Sequence, residues 1–216
     1  MQSLSACIFD LDGVIVDTAK YHFLAWNRLA SEWGFDFTLE QNEQLKGVSR
    51  MRSLEILLNI GGITLDEDSK QKAAARKNEW YVEYISNMDE SELLPGAKSL
   101  LLEVKEQGFM TALGSASKNA TLILDRTHIT KYFDVIVDGN KASKAKPNPE
   151  VFLRCASELR VPPRECIVFE DAKAGIEAAI HAGMRSIGVG SPEILGKADR
   201  VVSSLAEVKV QDLLTF

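Results

Sequence analysis

The apolar run Ala6–Phe9 ends abruptly in two carboxylates, Asp10 and Asp12, followed by Gly13. A short, uninterrupted apolar run closed by a turn signal reads as a buried strand. Aspartate is disfavoured inside strands, and the glycine breaks the element. Unpaired carboxylates at the end of a buried strand are unfavourable unless a cation or hydrogen-bond donors meet them. The segment therefore reads as a strand tip presenting acids into a crevice, the place where open α/β sheets bind ligands. A plainer reading, that Asp10-Leu11-Asp12-Gly13 is an ordinary turn, stays open on this segment alone.

The rest of the chain supplies the context. After the first strand the pattern is helical for roughly seventy to eighty residues, longer than an ordinary βα connection. Ala19 to Trp33 carries apolar residues at helical spacing, with Gly34 as the stop. Thr38 and Gln41 form a capping-box pattern, and Gly47 interrupts the helix that follows. Ser49 caps a third helix to Asn59, closed by Gly61-Gly62. Asp66, Glu67 and Asp68 put negative charge at the start of a long fourth helix. From Leu94-Pro95-Gly96 onward, helices and strands alternate. Helices are predicted over Ala97–Glu106, Lys118–Thr127, Pro149–Leu159 and Gly175–Ala182. Strands are predicted over Phe109–Gly114, Val135–Val137, Ile167–Phe169, Ser186–Val189 and Val201–Val202. Such alternation predicts an α/β fold, a Rossmann-like parallel sheet flanked by helices. The expected organisation is a core of residues 1–16 and 93–216, with residues 17–92 inserted after the first strand as an all-helical cap.

The chain of 216 residues has a net charge of -6, which argues against a nucleic-acid binder that relies on a basic surface. It leaves room for a phosphorylated small molecule met by a local cluster of cations. No apolar stretch reaches membrane-spanning length, and the N-terminus lacks a signal-peptide pattern. Cys7, Cys155 and Cys166 form no close pair and read as buried reduced thiols. A cytoplasmic location and a monomer that binds neither nucleic acid nor membrane are the resulting expectations.

Four segments fall at or just after strand ends. They are Asp10/Asp12, Gly114-Ser115-Ala116-Ser117-Lys118-Asn119, Lys144-Ala145-Lys146-Pro147, and Phe169-Glu170-Asp171. In a parallel sheet these ends converge. Four carboxylates brought together repel one another unless a cation bridges them, and oxygen ligands of this kind suit Mg²⁺. Serine hydroxyls, a helix start and a lysine beside them supply phosphate contacts. The combination reads as a site for phosphoryl transfer with a carboxylate nucleophile.

In that order the four segments resemble the haloacid dehalogenase superfamily of phosphotransferases, over nearly the whole chain. The resemblance implies that Asp10 attacks phosphorus and that Asp12 is the general acid and base. It implies that Asp10, Glu170, Asp171 and the Asp12 backbone carbonyl bind Mg²⁺, and that Ser115, Ala116 and Lys146 bind the transferring phosphate. The helical insertion is similar to the family's first type of cap. Leu45-Lys46-Gly47-Val48-Ser49-Arg50 on that cap, with Ser117, Lys118 and Asn119 on the core, resembles the family's sugar phosphomutases. A mutase must grip two phosphates at once, and Arg50 offers a planar fork for the distal one. The substrate-contacting set implied is Thr18, His22, Trp26, Lys46, Gly47, Val48, Ser49, Arg50, Lys77, Asn78, Ser117, Lys118 and Asn119. From the residues alone, His22 also reads as a histidine packed where cap meets core. Lys77 and Asn78 also read as part of a helix charged throughout. Ala172 stands where relatives can carry a serine. The implied reaction is conversion of a hexose 1-phosphate to the 6-phosphate through a bisphosphate. A sugar-phosphate phosphatase is the alternative on the same fold, and an aspartate-phosphorylated signalling receiver is a reading from another class.

Overall fold

The structure, a computed structural model, describes residues 4–45 and 48–214. Among these residues six parallel strands form one sheet in the order β3-β2-β1-β4-β5-β6. The strands are β1 (Ala6–Phe9), β2 (Met110–Gly114), β3 (Val135–Val137), β4 (Cys166–Glu170), β5 (Arg185–Val189) and β6 (Arg200–Val202). The order reverses at β1, which lies between β2 and β4, so the crevice of this doubly wound sheet opens at the carboxyl ends of β1 and β4.

Side chains of β1 alternate between the two faces, as the period of a strand requires. Ala6 and Ile8 join one apolar cluster with α7 (Glu150–Leu159) and α8 (Lys173–His181). Cys7 and Phe9 join a second cluster with α5 (Ala97–Glu106), α6 (Ala120–Arg126) and the helices inserted after β1. All of β1 and β4 is buried, and burying each large apolar side chain contributes about 1.5–3 kcal/mol. The three cysteines are free thiols, and all are buried.

The inserted helices are α1 (Ala19–Glu32), α2 (Leu39–Asn42), α3 (Arg50–Gly61) and α4 (Glu67–Ile85). Their ends follow the local sequence. Gly34 takes φ +80 just beyond α1. Thr38 and Gln41 cap each other reciprocally at α2. Ser49 accepts from Arg52 N, and left-handed Gly62 closes α3. Asp66 accepts from Ser69 N and leads two more acids into the first turn of α4. The chain leaves the sheet at Val16 and returns at Leu93. These two residues pair antiparallel, so both crossings lie side by side.

Two differences from the sequence expectations bear on the site. The helix predicted from Lys118 begins at Ala120. Residues 117–119 instead form a turn in which Ser115 Oγ accepts from Ser117 N and Ser117 Oγ accepts from Asn119 N. Hydroxyls placed to take backbone donors compete with helix in this way. The four-residue helices α9 (Pro192–Leu195) and α10 (Val210–Leu213) were not predicted, being too short to show a period.

Candidate active site

Phe9 and Phe169 pair in register, with their rings stacked at 4.6 Å. Asp10 and Glu170 therefore leave the sheet side by side, and Asp10 N donates to Phe169 O at 2.9 Å. One carboxylate oxygen from each of Asp10, Glu170 and Asp171 falls within 4.8 Å of the others. Two glycines make the space. A Cβ at Gly13, whose φ is +83, would stand 2.1 Å from Asp171 Oδ2. A Cβ at Gly175, in the first turn of α8, would stand 2.0 Å from the Glu170 carboxyl. Three hard oxygen donors gathered in a cleared, largely buried pocket fit a Mg²⁺ ion.

Lys146 binds this group from behind. Its ammonium donates to Asp10 Oδ1 at 2.5 Å and to Glu170 Oε2 at 2.7 Å. Glu170 Oε1 accepts from Ala172 N at 3.0 Å. The Lys146 side chain is only 2% exposed, whereas Lys144 is exposed. Burial works against the Lys146 charge, but Asp10 and Glu170 outweigh it and hold its pKa above the usual range. Burial pushes Asp10 up to about 7; Lys146 opposes this and Glu170 adds to it. Burial and the charge of Asp10 push Asp12 up to about 6, although the Thr18 hydroxyl donates to Asp12 Oδ1. A carboxyl poised near neutrality can both give and take a proton.

The acids open into a cleft of about 1400 Å³ between sheet and inserted helices. Ser115, Ala116, Ser117, Lys118 and Asn119 line one wall, at the end of β2. The opposite wall carries Thr18, His22 and Trp26 with α1, Val48, Ser49 and Arg50 at the start of α3, and Lys77 and Asn78 on α4. Lys46 and Gly47 lie outside the described residues. Asn119 Nδ2 reaches across and donates to Asn78 Oδ1 at 2.9 Å.

Lys77 is 2% exposed, so it is no part of a charged surface. Its Nζ lies 2.9 Å from His22 Nδ1 and within 4.6 Å of the Trp26 and Tyr81 ring centroids. A charged Lys77 can only donate, and its donation to Nδ1 would put the proton of a neutral His22 ring on Nε2. Burial, then the charges of Lys77 and Arg50, holds His22 well below its ordinary pKa. Burial and Arg50 do the same to Lys77, with Asp12 opposing. Tyr81 was not foreseen. It stacks on His22 at 4.1 Å, and its hydroxyl is buried beside Thr18. The signal was present. Ala73, Ala74, Lys77, Trp80 and Tyr81 recur at helical spacing, placing a lysine in the middle of an apolar face.

The profile of the haloacid dehalogenase-like hydrolase family matches residues 7–189, and the chain belongs to that family. Over 210 residues, 96% of this chain and 93% of the relative, it is 42% identical to the β-phosphoglucomutase of Bacillus subtilis. The crystal structure of β-phosphoglucomutase from Clostridium difficile superposes with a TM-score of 0.93 at 44% identity, covering 98% and 97% of the two chains. The phosphorylated carbohydrates phosphatase of Thermotoga maritima is 34% identical over 98% of this chain and 97% of its own.

Proposed function

We propose that the chain catalyses the Mg²⁺-dependent isomerisation of β-D-glucose 1-phosphate to glucose 6-phosphate, the activity of a β-phosphoglucomutase. The observation that carries this reading is the near full-length 42% identity with a protein of that activity. On this reading Asp10, Glu170, Asp171 and the backbone carbonyl of Asp12 hold Mg²⁺. The ion there would neutralise charge on the phosphoryl oxygens and orient them for in-line transfer.

The chain's own groups do the rest. Phosphorylated Asp10 passes its phosphoryl group to the sugar 6-hydroxyl: the Asp10 O–P bond breaks, a sugar O–P bond forms, and Asp12 takes the hydroxyl proton. The bisphosphate then presents its 1-phosphate to Asp10. Asp10 attacks phosphorus, the bond to the sugar oxygen breaks, and Asp12 returns the proton to that oxygen. Ser115, Ala116 and Lys146 hold the group in transit. Arg50, Ser117, Lys118 and Asn119 hold the distal phosphate, and His22, Trp26, Lys77, Asn78, Val48 and Ser49 face the sugar. Residues 17–92 act as a cap on a core of 1–16 and 93–216. Its closure excludes water from the phosphoaspartate. All of these groups come from one chain, so the reading needs only a monomer. No described helix is long and apolar enough to cross a membrane.

The 34% identity with a phosphorylated carbohydrates phosphatase favours a second reading, in which water replaces the sugar hydroxyl. The test is to supply β- and α-glucose 1-phosphate separately, with Mg²⁺ and a trace of glucose 1,6-bisphosphate. The mutase reading requires glucose 6-phosphate from the β-anomer. Failure of the β-anomer to yield it overturns the reading.

A further inference from the structure

Gly114 on β2 pairs with Val137 on β3, so the segments that follow leave the sheet as neighbours. One is the Ser115–Asn119 wall of the cleft. The other, Asp138–Gly139–Asn140, entered neither the sequence expectations nor the mechanism. It touches three consecutive residues of that wall. A Cβ at Gly139 would lie 2.3 Å from Ala116 O and 3.1 Å from Lys118 Cγ, so the bare glycine lets the turn lie against both. Gly139 N donates to Ser117 O at 3.1 Å. Asn140 Nδ2 donates to Lys118 O at 3.0 Å.

The turn is itself fixed. Asp138 is 8% exposed, and its Oδ1 accepts from Asn140 N and Lys141 N at 3.0 and 3.2 Å. Its Oδ2 accepts from Asn140 Nδ2 at 3.0 Å. An aspartate-capped turn needs only the bonds it makes to its own backbone. The Asn140 amide does more, because it also reaches across to the carbonyl of Lys118. Lysine is a flexible cation that has to be held if it is to meet an anion at one place.

We infer that Gly139 and Asn140 are positioning residues that fix Lys118, and thereby set the preference for a ligand bearing a second, distal phosphate. The inference rests on the mutase reading for Lys118's role. Neither residue touches the reacting atoms; Gly139 holds the Ser117 carbonyl and Asn140 the Lys118 carbonyl, so both act on Lys118 through the backbone from which its side chain starts.

The test uses the full chain with Mg²⁺ and two probes, glucose 1,6-bisphosphate and a small aryl phosphate that has only the transferring group. Asn140→Ala should raise KM for the bisphosphate about fivefold or more, the order expected for one lost neutral hydrogen bond in a binding step. The kcat for aryl phosphate release should change by less than twofold. Asn140→Gln, which keeps the amide donor, should recover part of the loss. If Asn140→Ala does not fold, Asn140→Ser, whose shorter side chain falls short of Lys118 O, must show the same selective rise. An unchanged bisphosphate KM, or equal losses on both probes, overturns the inference alone. A parent protein inert toward the bisphosphate overturns the mutase reading and this inference with it.

Discussion

Lys146 Nζ stands 2.5 Å from Asp10 Oδ1, with both side chains at least nine-tenths buried. Glu170 completes the set at 2.7 Å, so one ammonium balances two carboxylates withdrawn from water. Removing one partner of a buried ion pair is strongly destabilising because the other charge is left uncompensated. Lys146→Met is therefore expected to lower stability by about 3–5 kcal/mol at pH 8. The loss should shrink toward pH 5, where Asp10, with its pKa near 7, becomes neutral. Thermal melting at both pH values checks this. An equal loss at the two would mean that the charges do not govern the effect.

Asp12 gives a pH signature of its own. Its pKa is raised from 3.8 to about 6, so the folded state binds this proton more tightly than the unfolded chain does. The associated stabilisation is complete below pH 4 and is lost as pH rises through 6. A rise from 3.8 to about 6 amounts to about 3 kcal/mol. In chelator, Asp12→Asn should match the parent near pH 4 and melt progressively higher than it up to pH 8. A melting difference that does not grow between pH 5 and 7 would contradict the assigned burial of this charge.

The acid cluster depends on a missing side chain. A methyl at Gly175 would lie 2.0 Å from the Glu170 carboxyl and must displace it from Lys146 and from its neighbours Asp10 and Asp171. Gly175→Ala should weaken Mg²⁺ binding by about tenfold or more, as supporting contacts at metal sites do when lost. Titration calorimetry of Mg²⁺ on the folded variant reads this directly. An unaltered affinity would remove Glu170 from the ligand set.

Arg50 lines the cleft at the start of α3, half-buried, with burial drawing its pKa down. A guanidinium in that setting matches a phosphate with two parallel hydrogen bonds. Arg50→Ala should reduce mutase turnover far more than phosphate release from a small aryl ester, by about tenfold in the ratio of the two. Parallel assays of the purified variant decide it, and equal losses would take the distal phosphate away from Arg50.

How much of this was legible in the sequence depends on where the signal lay. Asp10, Asp12, Glu170 and Asp171 stood out because acids at the ends of apolar runs defy strand preference. The helix caps at Thr38 and Ser49 follow from side-chain acceptors that need only local backbone, and both form as expected; Asp66, read only for its charge at the start of α4, caps that helix as well. Lys77 was obscured by the charges around it, although its spacing from Ala74 and Tyr81 marked an apolar face. The start of α6 depended on two serine hydroxyls choosing backbone donors over solvent. Asn140 could not be read at all, because its partner Lys118 is twenty-two residues away and is brought near only by the pairing of β2 with β3.

The central claim is that phosphorylated Asp10 delivers its phosphoryl group to a sugar hydroxyl and not to water. The most direct measurement follows glucose 6-phosphate and free phosphate in one reaction with β-glucose 1-phosphate, Mg²⁺ and a trace of the bisphosphate. The account predicts glucose 6-phosphate in large excess over free phosphate from the first turnovers onward. Free phosphate released in step with substrate loss, with little glucose 6-phosphate, would contradict it and make the chain a sugar-phosphate phosphatase.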